Sequence, residues 1–367
     1  KLNILNLFFE IFNLISKKSK FKLIGSFFLM LITGIFELFS LISVLPLLIS
    51  LTNPENLLKN NLIKNFIEKY NFFNENNIFF YACAFVIFIT ILSSFLKIFN
   101  VWISEIISAQ IGSEISFKAY RKILSQNYIY HINTRSSSLI ASLTEYINDF
   151  ISVLRSLLRM GTSLIIVIFL ILGLLKLSTK FTIVVFLLFT LLFVLISISF
   201  KKQLSKNSKL IAHKAKLQIK LVQEGIGSIR DIILSENQSL FLKNYYKTDL
   251  PMRIAIGENN FLSFSPKYGI EGIGIILIVG LTFFLDSFYK GPLGTITLIG
   301  TSLVAAQKLL PSMQQIYNSW AQINSNFYAL SHLISILKLP NQNKINRHKV
   351  EPLNSSLSII LKNIYFS

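Results

Sequence analysis

Cysteine, acidic residues and charge of either sign are all scarce in these 367 residues. The single cysteine, Cys83, excludes an internal disulfide, and among apolar neighbours a lone thiol reads as a small buried hydrophobe. Only 14% of residues are charged, against about 25% in water-soluble globules, which excludes an ordinary soluble domain. No glycine, four residues and Gly-Lys-Ser/Thr occur in succession, so this chain has no P-loop to cradle nucleotide phosphates. His131, His213, His332 and His348 are too scattered for a metal site, and no catalytic constellation is legible. Proline is missing between Ile103 and Asp249, leaving that stretch free to run as helix.

What fills the chain instead is apolar. Hydrophobic residues make up 52% and aromatic ones 13%, and the mean hydropathy is +0.58. These values point to an all-α membrane protein. Thirty-six Lys and Arg against seventeen Asp and Glu leave a net charge of +19. Nucleic-acid binding is one use of such an excess. In a membrane protein the commoner use is topological, because Lys and Arg collect in cytoplasmic loops, and no nucleic-acid partner is expected.

Six stretches are long and apolar enough to cross a hydrocarbon core about 30 Å thick. They lie near 21–50, 78–103, 158–176, 178–200, 259–285 and 293–318. The first is too long for a signal-peptide core and has no small-residue cleavage site after it. Lys17, Lys18, Lys20 and Lys22 precede it and mark the cytoplasmic side. Residues 51–77 balance three Lys against three Glu, whereas residues 201–253 hold eleven Lys or Arg against four acids, a net +7. Both termini and both long connections are therefore expected in the cytoplasm.

Those connections, 104–157 and 201–258, each exceed fifty residues and keep apolar residues at helical spacing. They predict helices continuing out of the membrane. At 1.5 Å per residue a leg of about 25 residues reaches roughly 35–40 Å. Residues 1–339 are expected to form this helical domain. A polar, proline-bounded linker at 340–356 then leads to a β-favouring run at 357–367, whose lone strand needs a further soluble domain to pair with.

The order of these features, with the closing run Ile359-x-Leu361-Lys362-Asn363-Ile364-x-Phe366, resembles the transmembrane half of an ABC exporter of the type IV fold. The resemblance implies a homodimer and an ATP-binding domain following Ser367, with ATP and Mg bound there. It also implies coupling helices at the tips of the two long connections. Within the family the chain is most similar to flippases of lipid-linked oligosaccharides. Phe36-Glu37 with Leu45-Pro46, Pro266-Lys267 with Glu271-Gly272-Ile273-Gly274, and Lys308-Leu309-Leu310-Pro311-Ser312 carry that similarity. The implied setting is a bacterial inner membrane, with lipids as partners.

Asn56–Tyr70 places Leu58, Leu62, Phe66 and Tyr70 on one apolar helical face. One reading is the external helix that meets the lipid tail in these flippases. The other is a helix capping the outer ends of the spans. The second coupling tip is expected at Arg230, Asp231 and Ile232, with Glu236 closing it. The first is expected around Ser142–Asp149, with Glu145, Tyr146, Asn148 and Asp149 as contacts, Glu145 standing one position earlier than the family's usual acid.

Charges inside spans are costly and usually functional. Lys97, Lys308 and Lys267 lie about 28, 22 and 28 Å from the outer surface by helical rise, in the cytoplasmic half of the bilayer. Together they suit a basic girdle in a substrate cavity, facing a lipid diphosphate as point charges. The alternative is that each snorkels to the headgroups, or that Lys267 pairs with Glu271 four residues on. Glu37 sits near the middle of the first apolar stretch, where it needs a hydrogen-bonding partner between helices.

Competing cargoes are peptide or other lipid. A different class, a polytopic membrane glycosyltransferase, needs acidic or His clusters in sizeable outer loops, whereas the loops here are short or charge-balanced.

Overall fold

The computed structural model describes residues 10, 12–13, 15–52, 78–177, 179–269, 272, 292–340 and 362. Among these, every regular element is helical. The helices are α1 (Lys17–Ile42), α2 (Val44–Thr52), α3 (Ile78–Leu124), α4 (Tyr128–Asn133), α5 (Ser136–Leu143) and α6 (Glu145–Leu177). They continue as α7 (Thr179–Gly227), α8 (Ile229–Leu234), α9 (Gln238–Phe264), α10 (Pro292–Ser325) and α11 (Phe327–Leu337).

Three stretches among the described residues are long and apolar enough to cross a membrane: Lys17–Leu48, Phe79–Leu124 and Ser136–Leu175. The chain is an all-α protein of membrane-spanning character. Its exposure pattern supports this independently of length. On α1, Phe21, Ile24, Phe28, Ile32, Ile35 and Phe39 are exposed, while Ser26, Thr33, Glu37 and Ser40 are buried. The exposed set recurs every three to four residues and the buried set at three, four or seven, so the helix has two faces. In water this arrangement would expose oil and bury polarity. In hydrocarbon it is the favourable one, because polar groups are satisfied only between helices.

The same inversion marks the first half of α3, where Phe80, Ile87, Phe88, Ile91, Phe95 and Ile98 stand outward. Further along, α3 changes character. Ile107, Ile111, Ile115, Ala119 and Ile123 recur every four residues and are buried against Ile147, Phe150 and Leu154 of α6 and Leu330, Leu333 and Leu337 of α11. This is a conventional packed core, and it lies beyond the apolar run. The long connections at 104–157 and 201–258 are accordingly helical. α7 alone has 49 residues, a rod of roughly 73 Å.

Packing divides the helices into a bundle and a pair. In the bundle α10 lies on α6, α6 on α1 and α1 on α3, whereas α7 packs chiefly on α9 and touches α6 and α10. Glycines set the α1–α6 approach. A Cβ on Gly34 would meet Phe169 Cδ2 at 2.7 Å and Ile165 Cγ2 at 2.8 Å, so α6 side chains occupy the space a larger residue would need.

The first reversal of the chain differs from the expected place. Asn127 accepts a hydrogen bond from Tyr130 N and starts α4, and Thr134 and Arg135 are extended. The turn therefore falls between Leu124 and Ser136. Ser142–Asp149 spans the α5–α6 junction within the returning rod, one or more turns past it. The physical reason is that Tyr146, Ile147 and Phe150 are needed in the core, so they cannot also face out at a tip. The second tip, by contrast, is α8 itself. Expected spans 178–200 and 293–318 fall on α7 and α10. The outer helix bearing Leu58, Leu62, Phe66 and Tyr70, most of the fifth span after 269, Glu271, the linker past Pro340 and the terminal strand lie outside the described residues.

His332 sits where α11 meets α6. Its ring stacks edge-on to Tyr146 at 5.3 Å, and its Nδ1 is buried without a hydrogen-bond partner among the described residues. Burial, aided by the nearby Lys216 charge, pushes its pKa down to about 4. Between pH 6.5 and 4 the unfolded chain takes up a proton that the folded one refuses, so stability should fall as pH drops through that window. The loss should reach up to about 3 kcal/mol, and His332→Leu should flatten this part of a pH titration of unfolding. A variant with the wild-type slope would show that His332 protonates freely in the fold.

Candidate functional site: an ionic cluster within the membrane helices

α1 ends at Ile42 because Pro46 cannot donate to that carbonyl, and α2 restarts the helix one residue later. Glu37 stands one and a half turns before the break, on the polar face of α1. It is 1% exposed. From α3, Ser93 Oγ donates to its Oε2 at 2.5 Å, and Lys97 Nζ lies 2.8 Å from its Oε1. From α10, Lys308 Nζ lies 2.9 Å from the same oxygen and donates to Ser40 Oγ at 3.1 Å.

One carboxylate thus holds two ammonium groups from two other helices. The cluster carries one positive charge in excess. Its lysines differ in access: Lys308 is 18% exposed, whereas Lys97 is 43% exposed. An anion arriving from the accessible side would find Lys97 first. A charge in this setting is expensive unless paired, and the cluster satisfies Glu37 completely while leaving Lys97 open to a second anionic partner.

Neutral hydrogen bonds extend the site along the helices. Asn100 Nδ2 donates to Thr33 Oγ1 at 3.2 Å, and its Oδ1 accepts from Thr162 of α6 at 3.4 Å and from Ser104 at 3.3 Å. Glu105 follows on α3, accepting Arg159 at 2.6 Å, with Arg155 Nε at 2.5 Å. Arg155 Nε lies off the hydrogen-bonding direction, so that contact is ionic only. Glu37 and Glu105 each hold two cations. Their side chains are linked by α3, on which Lys97 and Glu105 are eight residues, about 12 Å, apart.

Of the expected cavity residues, the structure brings together Lys97, Lys308 and Glu37. Lys267 is exposed beyond the end of α9 and makes no contact with that cluster. The partners of Glu37 were missing from the sequence reading. A usable signal existed: Ser93, Lys97, Asn100, Ser104 and Ser108 recur at helical spacing on α3, which matches the polar face of α1. The Glu105–Arg155–Arg159 group was also missed, since its members are separated by a chain reversal.

At the expected coupling sites, Glu145 and Asn148 are exposed and Asp149 is partly covered. Tyr146 is buried and donates from its hydroxyl to Ala212 O at 3.2 Å. In α8, Arg230 and Asp231 are exposed while Ile232 is buried, and Glu236 adopts a left-handed φ of 53° at the turn into α9.

No protein-family model matches this chain, and no curated protein sequence is significantly similar to it.

Proposed function

We propose that the protein is the membrane half of an ATP-driven ABC exporter that moves an anionic lipid-linked saccharide across a bacterial inner membrane. The observation that carries the reading is the Glu37–Lys97–Lys308 cluster, an intramembrane site with one uncompensated, accessible positive charge. A lipid diphosphate is a ligand of matching sign, and Lys97 is the group it would engage.

The rods favour an exporter over a membrane enzyme. From Phe200 to Gly227 α7 continues about 40 Å past its apolar run, and its tip exposes Ile226, Ile229, Ile233 and Leu234. Apolar side chains held that far from lipid suit a groove on another domain. The chain also leaves α11 beside the first reversal, where Lys122 Nζ donates to Leu339 O at 2.6 Å and Gln126 to Pro340 O at 2.9 Å. The connection to an ATP-binding domain would leave the helices from there. In this reading two copies associate, six spans each, and ATP with Mg acts in the following domain.

Lys308→Met combined with Lys267→Met in the complete protein should reduce lipid-saccharide flipping at least tenfold, while ATP hydrolysis without cargo persists. The loss corresponds to about 1.4 kcal/mol or more. Lys97→Met alone and Lys267→Met alone separate the roles of the cluster and of Lys267, and the triple variant removes all three charges. Flipping at the wild-type rate in the triple variant would eliminate the anionic-lipid reading.

A further inference from the structure

A cavity of about 370 Å³ opens between the start of α5 and the middle of α7. Arg135, Ser137 and Ser138 form one wall, and His213, Lys216 and Lys220 the other. No carboxylate among the described residues lines it. Lys220 is partly engaged, with Glu224 at 3.3 Å. Arg135 and Lys216 have no ion pair among the described residues.

Three further features orient donors into this space. Arg135 is the N-cap of α5 and supplies no side-chain acceptor; Ser138 N–H and Leu139 N–H are taken up by Arg135 O, which leaves the N–H groups of Ser136 and Ser137 without a cap and adds the positive end of the helix dipole. Ser137 is 5% exposed, and its hydroxyl makes no hydrogen bond to any described residue although it lines the cavity. Lys216 Nζ rests 5.8 Å above the Tyr146 ring. Burial holds that ammonium below the ordinary lysine pKa, a cost that a bound anion would offset.

We propose that this cavity binds a soluble phosphate-bearing anion, held by Arg135 and Lys216, by Ser137 Oγ and by the α5 N-terminus. Three cations without a lining acid set the sign of the ligand, and the fork of Arg135 suits phosphate oxygens. The volume leaves room for a group esterified to the phosphate. Lys216 lies sixteen residues past Phe200, about 24 Å beyond the apolar run of α7, too far for a headgroup seated at the bilayer surface. The proposal is independent of the transport reading, since it involves none of the Glu37 cluster.

Inorganic phosphate is the probe. Titrated by calorimetry into the detergent-solubilised full protein at constant ionic strength, it should bind tighter than about 1 mM. Arg135→Gln with Lys216→Gln should weaken binding about 100-fold, roughly tenfold for each charge-assisted contact, and Ser137→Ala severalfold. Lys216→Arg should retain most of the affinity and Arg135→Lys should lose less than Arg135→Gln, keeping the charge but not the fork, which separates loss of charge from misfolding. Absence of binding by the wild type, or equal affinity in the Gln double variant, would overturn the site. Nanodiscs of phosphatidylcholine with and without phosphatidic acid test the source. Residue-dependent capture of phosphatidic acid without any response to inorganic phosphate would refute a soluble ligand.

Discussion

Glu37→Leu should destabilise the protein by about 3–5 kcal/mol, because it strips the counter-charge from two lysines held where α1, α3 and α10 meet. Lys308 has little access to water and Ser40 as its remaining hydrogen-bond partner. Lys97 can swing outward, so Lys308 should account for most of the loss. Removing the charges together should reverse it: Glu37→Leu with Lys97→Met and Lys308→Met should unfold within about 1 kcal/mol of wild type, as apolar replacements of buried ionic groups commonly do. Unfolding in mixed detergent micelles measures both. A Glu37→Leu protein as stable as wild type would mean that the lysines find headgroups instead.

Gly34→Leu is expected to be nearly as damaging, through shape alone. The added side chain would run into Phe169 and the β-branched methyl of Ile165, and neither yields without moving α6. Overpacking of this kind costs about 1–3 kcal/mol or more, and in lipid, helix association depends on small residues at close approaches. Gly25 provides the control, since a Cβ there meets nothing within 4 Å. Gly25→Leu should leave the unfolding transition within about 0.5 kcal/mol of wild type. Equal effects at the two positions would dismiss the notch at Gly34.

The two variants also mark where sequence reading succeeds and fails here. That Glu37 and Lys308 are costly follows from their apolar neighbours in the chain, and so does the need for partners. Which partners they find does not follow, because Ser93 and Lys308 stand 56 and 271 residues from Glu37. For Lys97 the sequence offers a cavity charge or snorkelling, and only α1, α3 and α10 side by side pair it with Glu37. The first reversal was misplaced for a related reason. Glu145 and Asp149 read as polar tip residues, yet their neighbours Tyr146 and Phe150 are wanted by a core that α3 and α11 complete.

Hydropathy and the missing prolines determined by themselves that this is a helical membrane-type chain whose helices run on past their apolar stretches, since period, length and helix breakers are local properties of consecutive residues. Only tertiary packing decided that two lysines meet on one carboxylate, and that cations of α7 face the uncapped start of α5. Charges in a low-dielectric interior choose partners by distance across helices, and that distance is set by how the apolar and small-residue faces fit together.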